Sequence, residues 1–247
     1  DGVAQAAIYQ KQPAIKNITD QWGRLITRYE EELNATDRQR EKLRSFYYAG
    51  SGLETGSPVF RGRADVFEVI DEVTANPMRP ETLVMVGQPR MGKSSALKQL
   101  PDRLPNMLVL YVDCQKEFNT DSTAGYVYAV MDSIAAQEAA RPQGLRLVPI
   151  PQANLQTDPI QKLNRWLEDV RRQSHKRRVF LCFDEFEKIL IKVDEGKISP
   201  EALDHLRGLS QAEGFQVLFN GMFSLDDMAR KYAAYFKNAR RIKISYL

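Results

Sequence analysis

The stretch Gly87-Gln88-Pro89-Arg90-Met91-Gly92-Lys93-Ser94 decides the fold, because it satisfies the pattern G-x-x-x-x-G-K-[ST] in full. It follows a short apolar run, Thr82–Val86, and opens a helical stretch, Lys93–Leu100. Glycines let such a backbone curl so that successive N–H groups face phosphate oxygens, and the helix N-terminus adds partial positive charge. Strand, loop and helix together predict a phosphate-binding loop, and these flanking elements disfavour a chance match.

The side chains of this loop predict a nucleoside triphosphate as the ligand. Lys93 is expected to reach the β- and γ-phosphates, where it serves catalysis, and the Ser94 hydroxyl to ligate Mg²⁺. The candidate nucleotide contacts in the loop are Gly87, Gln88, Pro89, Arg90, Met91, Gly92, Lys93, Ser94 and Ser95.

A second motif follows the apolar strand Val179–Phe183, which ends in Asp184-Glu185. Ligands of open α/β sheets collect outside the carboxyl ends of the strands, so these acids are expected to face the loop. Asp184 would hold the hydration shell of the Mg²⁺. Glu185 would orient or deprotonate the attacking water, unless it is a surface acid and hydrolysis is negligible. Glu187 is interpreted as structural.

Residues 58–247 alternate between short apolar runs and helical stretches. This alternation predicts an α/β fold, a three-layer αβα core with a mostly parallel five-stranded sheet. The predicted strands are Thr82–Val86, Met107–Val112, Val179–Phe183, Phe215–Asn220 and Ile242–Ser245. The predicted helices are Ala64–Val73, Lys93–Leu100, Tyr126–Ala139, Ile160–Arg172, Pro200–Gln211 and Leu225–Phe236, with Arg141–Thr157 as a loop.

Residues 1–57 are predicted to be a short helical lead-in followed by a flexible linker, and residues 58–247 the nucleotide-binding domain. Apolar residues at spacings of three and four indicate a first helix. A stop near Asn34–Asp37 would separate it from a second, and Ala49–Pro58, rich in Gly and Ser, would be the linker. The apolar face would pack within the chain or on another copy. The helical stripe comprises Ile15, Ile18, Trp22, Leu25, Ile26, Tyr29 and Leu33.

Composition narrows the class of protein. The 247 residues are 43% hydrophobic and 27% charged, which excludes disorder, and no apolar run reaches the roughly 20 residues of a membrane-spanning helix. A net charge of +3 gives little reason to expect nucleic acid as a partner. Two cysteines form no disulfide framework, which indicates a reducing compartment and a cytoplasmic location. The chain begins without Met and is interpreted as part of something longer.

The chain also resembles the STAND NTPases, signal-transducing ATPases related to AAA+ and archaeal-type ATPases. Three stretches carry the resemblance: Pro58-Val59-Phe60-Arg61-Gly62-Arg63, the loop extended to Ser95, and Asp184-Glu185-Phe186-Glu187. The resemblance implies that Val59 and Phe60 contact the adenine with Arg63 nearby. It also implies that Asn220 senses the γ-phosphate as a catalytic residue and that the strand order is 5-1-4-3-2.

The resemblance further implies slow hydrolysis of Mg-ATP that switches a larger signalling or antiviral defence protein. The expected partners are effector and sensor domains of the same parent protein and other copies of the ATPase core. A DNA-associated ATPase of the origin-recognition type and a scaffold that holds ADP without hydrolysis stay open as alternatives. A GTPase is disfavoured because no Asn-Lys-x-Asp motif occurs.

Two basic clusters and two histidines have plainer interpretations. The run from Arg171 to Arg178 is predicted to be a solvated helix end, where cations are favourable. A second cluster, from Lys237 to Lys243, includes arginines that could reach a neighbouring subunit's phosphate, but nothing selects one. Neither His175 nor His205 has a Cys or carboxylate residue at the spacing of a zinc site, so zinc binding is not expected.

Overall fold

The computed structural model describes residues 13–39, 52–54, 56–57, 60–76, 80–115, 120–141, 144–175, 177–222 and 231–245. The chain divides into two compact units, Asp1–Tyr47 and Tyr48–Leu247. No helix among the described residues is both long and apolar enough to cross a membrane.

The first unit contains helix α1, Pro13–Gln39. The helix continues through Asn34–Asp37, where a stop was predicted. Asn and Asp are each at most about 0.7 kcal/mol less favourable than Ala inside a helix, so they do not have to end it. Of the predicted apolar stripe, Ile18, Trp22, Leu25, Ile26 and Tyr29 are exposed on α1. The second predicted helix lies outside the described residues.

The second unit is built on a five-stranded sheet in which every described pairing is parallel, as predicted. The order β2-β3-β4-β1-β5 confirms the expected 5-1-4-3-2 arrangement. The last strand lies two residues earlier than predicted, because Leu83 of β1 pairs with Arg240. The strands are β1 Leu83–Val86, β2 Met107–Asp113, β3 Arg178–Asp184, β4 Phe215–Gly221 and β5 Arg240–Lys243.

Helices connect these strands, and most lie close to the predicted positions. The predicted helix Lys93–Leu100 is divided into two, and the helix Glu187–Asp194 was not predicted. The helices are α2 Ala64–Ala75, α3 Lys93–Lys98, α4 Leu100–Arg103, α5 Thr123–Ala140, α6 Pro159–Gln173, α7 Glu187–Asp194, α8 Glu201–Ser210 and α9 Ala233–Phe236. The predicted loop before α6 is irregular except for a 3₁₀ turn, Gln152–Leu155. Of the predicted helix Leu225–Phe236, residues 223–230 lie outside the described part, and helix is present from Ala233.

Alternate residues of each strand enter two separate hydrophobic clusters, one on each face of the sheet. Val84 and Val86 belong to the cluster under α5, α6 and α8, whereas Leu83 and Met85 belong to the cluster under α2, α3 and α4. Strands buried on both faces carry continuous apolar runs for this reason. The arrangement is the three-layer αβα core that the sequence predicts.

The two edges of the sheet are protected in different ways. Along β2, Gln137 accepts from the N–H of Tyr111 at 3.0 Å, and Arg141 donates to the carbonyl of Val109 at 2.8 Å. Along β5, Arg240, Arg241 and Lys243 are exposed. Charged side chains on an edge strand oppose pairing with other chains. Protection of this sheet edge is therefore a structural explanation for the second basic cluster.

Candidate active site

The loop that follows β1 bends through two left-handed residues, Arg90 with φ 64° and Gly92 with φ 83°. Gly92 ends the loop at the start of α3, where no side chain caps the helix. The first-turn N–H groups of such a helix lack helical partners and favour an anion. Gln88, Pro89 and Arg90 are exposed, whereas Met91 is buried in the cluster below the loop.

Lys93 is the buried cation of this loop, with 9% of its surface exposed. Its Nζ donates to the carbonyls of Gly87 at 2.8 Å and Gln88 at 2.9 Å. Burial lowers the pKa of Lys93, and the negative charges of Asp184, Glu187 and Glu185 act in the opposite direction. The lysine therefore lies close to both the loop and the acids of the second motif.

Arg63 links the loop to the residues that follow β5. It is 7% exposed, and its guanidinium donates to the carbonyls of Met91 at 2.7 Å and Ser245 at 2.6 Å. Phe60 packs edge-on against Phe67 of α2, with ring centroids 6.0 Å apart. Both terminal nitrogens of Arg63 thus bind main-chain oxygens. The sequence did not predict these two hydrogen bonds. Val59 lies outside the described residues.

The segment predicted as a linker is held against α3 over its described residues. The N–H of Leu53 donates to the Ser95 hydroxyl at 2.9 Å. Gln99 donates to the carbonyl of Glu54 at 3.0 Å and accepts from the N–H of Gly56 at 3.2 Å. A Cβ on Gly52 would lie 3.1 Å from Cβ of Ser94, so the backbone passes directly over the start of α3. We call the described residues of this segment, 52–54 and 56–57, the clip; the Gly and Ser content of the segment predicted flexibility instead.

The carboxylate of Asp184 at the end of β3 is 3% exposed and accepts three hydrogen bonds. The Tyr111 hydroxyl donates to Oδ2, and the Asn220 amide nitrogen donates to Oδ1. The N–H of Glu185 also donates to Oδ1, at 3.0 Å. Charge-assisted hydrogen bonds of this kind fix the carboxylate in orientation.

Glu185 and Glu187 add two further acids beside Asp184. Glu185 has φ 50° and is half-buried. Burial raises the pKa of its carboxyl, and the negative charges of Glu187 and Asp184 raise it further. A carboxylate with a raised pKa is suited to accept a proton. Glu187 accepts from the N–H of Met222 at 3.2 Å, consistent with its predicted structural role.

The predicted metal ligands fit an ion that phosphate and water also coordinate. Ser94 lies in the first turn of α3, which follows β1, and Asp184 lies at the carboxyl end of β3, with β4 between the two strands. Among the residues that the structure describes, no three His, Cys, Asp or Glu side chains form a cage of their own. Mg²⁺ in nucleotide sites typically takes one or two protein ligands and keeps several waters.

The basic run and the histidines lie outside this arrangement. Arg171 pairs with Glu168 at 3.1 Å, and Arg172 pairs with Asp169. Lys176 lies outside the described residues. Neither ring nitrogen of His205 has a hydrogen-bond partner in the described part of the chain, and burial lowers its pKa to about 4.

Sequence comparison then places the protein in a family. A model of the AAA domain matches residues 78–229, and the protein belongs to this family. Its fold is therefore that of ATP-binding AAA-type ATPases, P-loop NTPases with an all-parallel sheet. A search of curated protein sequences gave no match.

Solved structures with a similar fold come from distant relatives. The Walker-type ATPase of Pyrococcus abyssi superimposes with a TM-score of 0.55 over 81% of this chain, at 13% identity. The ORC2 protein of Aeropyrum pernix, solved in ADPNP-ADP complexes, gives a TM-score of 0.47 over 83% of this chain, at 15% identity. The chain spans 57% and 52% of these two structures, so it corresponds to little more than half of each.

Proposed function

We propose that this protein binds Mg-ATP and hydrolyses it slowly. The observation that carries the proposal is the convergence of Lys93, Asp184 and Glu185 at the carboxyl edge of one parallel sheet. The nucleotide-binding AAA fold supports it. In phosphoryl transfer the protein contributes mainly positioning and charge stabilisation, and these three side chains supply both.

Each side chain has a separate task in the proposed reaction. Lys93 exchanges the carbonyls of Gly87 and Gln88 for phosphate oxygens and stabilises the charge on the γ-phosphoryl group. Ser94 and Asp184 hold the Mg²⁺, which neutralises phosphate charge when bound. Glu185 accepts the proton of the attacking water at its carboxylate. Asn220 is proposed to contact the γ-phosphate, although its amide nitrogen also serves Asp184.

The remaining nucleotide contacts are proposed on the resemblance to STAND NTPases. Val59 and Phe60 would lie over the adenine. Arg63 binds the carbonyls of Met91 and Ser245, so it would affect the base indirectly, through the position of the loop.

We further propose that the ATPase core acts as a cytoplasmic switch within a larger signalling or defence protein. The support is the STAND-like character of the stretches Pro58–Arg63 and Asp184–Glu187. In this proposal ATP favours self-association of the core, which then acts on effector and sensor domains of the same parent protein. Nucleic acid is not its primary partner, since Arg171 and Arg172 are neutralised by neighbouring acids.

The test is to compare ATP turnover of the wild type with that of Lys93→Ala and Glu185→Gln, and to identify the nucleotide released after denaturation. Lys93→Ala should lose nucleotide binding. Glu185→Gln should bind ATP and turn it over about 100-fold or more slowly. Lys237→Ala and Glu195→Gln, which alter exposed residues of the same types, serve as controls.

Equal turnover in the wild type and both site variants would exclude this site as the source of hydrolysis. Copurified ADP without measurable turnover in the wild type would instead favour the non-hydrolysing scaffold.

A further inference from the structure

Tyr111, which belongs to neither motif, reaches the Asp184 carboxylate from the edge strand of the sheet. Its hydroxyl donates to Oδ2 of Asp184. In the parallel register Tyr111 pairs with Cys182, so Asp184 lies two residues further along β3 and on the same face. Side chains two residues apart on a strand share a face of the sheet. The contact therefore follows from the register and from the length of a tyrosine side chain.

The backbone of Tyr111 is itself fixed by helix α5. Because β2 is an edge strand, the outer N–H of Tyr111 has no strand partner, and Gln137 of α5 accepts it at 3.0 Å. Arg141, one turn later, donates to the carbonyl of Val109 at 2.8 Å. The backbone at Tyr111 is thus held by β3 on one side and by α5 on the other, and this fixes the position from which its side chain extends.

The number of acceptor sites on Asp184 explains what this contact can do. An ionised carboxylate offers about four lone-pair sites on its two oxygens. The described residues fill three of them, from Tyr111, Asn220 and the N–H of Glu185. One acceptor direction is left for a water molecule in the coordination shell of an ion, so the three donors set where that water binds.

We propose that Tyr111 is a positioning residue for Mg²⁺, acting through Asp184, and this inference rests on the proposed binding of Mg-nucleotide. The hydroxyl holds Oδ2 and leaves the remaining acceptor site directed at the metal-bound water. Without the hydroxyl, Oδ2 loses its donor and the carboxylate is held through Oδ1 alone, so the Mg²⁺-dependent part of nucleotide affinity falls. Affinity for nucleotide alone, which depends on Lys93 and the loop, stays the same.

The experiment measures binding of mant-ADP to the full chain by fluorescence, first in EDTA and then across a Mg²⁺ titration. Tyr111→Phe should leave the affinity in EDTA unchanged and raise the Mg²⁺ concentration at half-effect by about three- to tenfold, the worth of one hydrogen bond. Tyr128→Phe, a half-buried tyrosine of α5, is the matched control and should behave as the wild type. Gln137→Met, which frees the backbone of Tyr111, should shift the Mg²⁺ dependence in the same direction by less.

Three results would overturn the inference. An unchanged Mg²⁺ dependence in Tyr111→Phe and Gln137→Met would show that the hydroxyl does not act on the metal. An equal loss of affinity in EDTA and in Mg²⁺ would show a merely structural role. Absence of mant-ADP binding by the wild type under both conditions would reject the proposed function as well, which separates the two failures.

Discussion

The loop after β1 and the carboxyl end of β3 form the two sides of one site, but they are held in different ways. On the loop side, main-chain oxygens are the acceptors: Lys93 binds Gly87 and Gln88, and Arg63 binds Met91. On the strand side, one carboxylate is the acceptor, and Tyr111 and Asn220 from the flanking strands are donors. The loop therefore depends on backbone conformation, and the strand end on sheet register.

This difference predicts how each side fails when it is changed. Substitutions at the loop side should first lower the stability of the domain, because they disturb buried backbone. Substitutions at the strand side should first alter the response to Mg²⁺, since a neighbouring strand remains in place when a single donor is removed.

The largest effect is expected for Arg63→Met, which keeps an unbranched apolar stem and removes both hydrogen bonds. Hydrogen bonds from a charged group contribute about 1.5–3 kcal/mol each, and the carbonyls of Met91 and Ser245 would lose a donor. We expect the free energy of unfolding, measured in urea, to fall by about 3 kcal/mol.

Arg61→Met is the control for this prediction, because Arg61 is exposed and its guanidinium bonds the adjacent carbonyl of Phe60. It should change the free energy of unfolding by less than about 0.5 kcal/mol. Similar losses of unfolding free energy in the two variants would mean that Arg63 does not hold the loop to the residues that follow β5.

A smaller loss is expected for Gly87→Ala, at the point where the loop passes β5. A Cβ at this position would lie 2.8 Å from the carbonyl oxygen of Ile244, a backbone atom that cannot move aside cheaply. Overpacking of this kind costs about 1–3 kcal/mol, and thermal unfolding should show it as a lower Tm. Gly208→Ala meets no atom within 4 Å and lies in α8, so it should be neutral or stabilising. A higher Tm for Gly87→Ala would contradict the close approach.

The same contrast explains how much of the molecule the sequence could predict. The loop was readable because its motif is contiguous: Gly87, Lys93 and Ser94 stand in one octapeptide whose chemistry is local. The layers were also predictable, since apolar runs that alternate with helices favour a parallel sheet covered on both faces. The strand order was implied only by the resemblance to the STAND NTPases.

The contacts around Asp184 were not predictable, because they depend on register between strands that are distant in sequence. Tyr111 was visible as a hydroxyl within an apolar strand, but its partner follows only from the pairing of β2 with β3. The clip was predicted to be flexible from its Gly and Ser content. Propensity describes the isolated segment, whereas Ser95 and Lys98 of α3, with Gln99 at its C-cap, supply the hydrogen bonds that order it.

On the strand side, Asn220→Leu should separate stability from metal response. It removes a donor to Asp184 from a fully buried position, and we expect about 1–2 kcal/mol of destabilisation. Gln216→Leu is the matched control: it removes a buried amide from the same strand, at the end remote from the site, where Gln216 donates to Glu81. Both variants should lose similar stability, but only Asn220→Leu should need more Mg²⁺ for ATP turnover. An equal Mg²⁺ requirement would show that Asn220 does not act through Asp184.

The smallest effect is expected for Gln99→Leu, which removes the hydrogen bonds of Gln99 to the clip and leaves the residues of the phosphate-binding loop unchanged. Gln99 exchanges hydrogen bonds with Glu54 and Gly56 at an exposed surface, where each contributes about 0.5–1.5 kcal/mol or less. The free energy of unfolding should fall by no more than about 1 kcal/mol. Hydrogen exchange of residues 52–57 should accelerate, while exchange of β1 and β3 stays the same, because local opening requires only the bonds that close that segment. Gln211→Leu, on an exposed helix end, should leave exchange of the clip unchanged. If the clip remains protected in Gln99→Leu, Ser95 and Lys98, which pairs with Glu54, hold it, and the double variant Ser95→Ala, Lys98→Met should then release it.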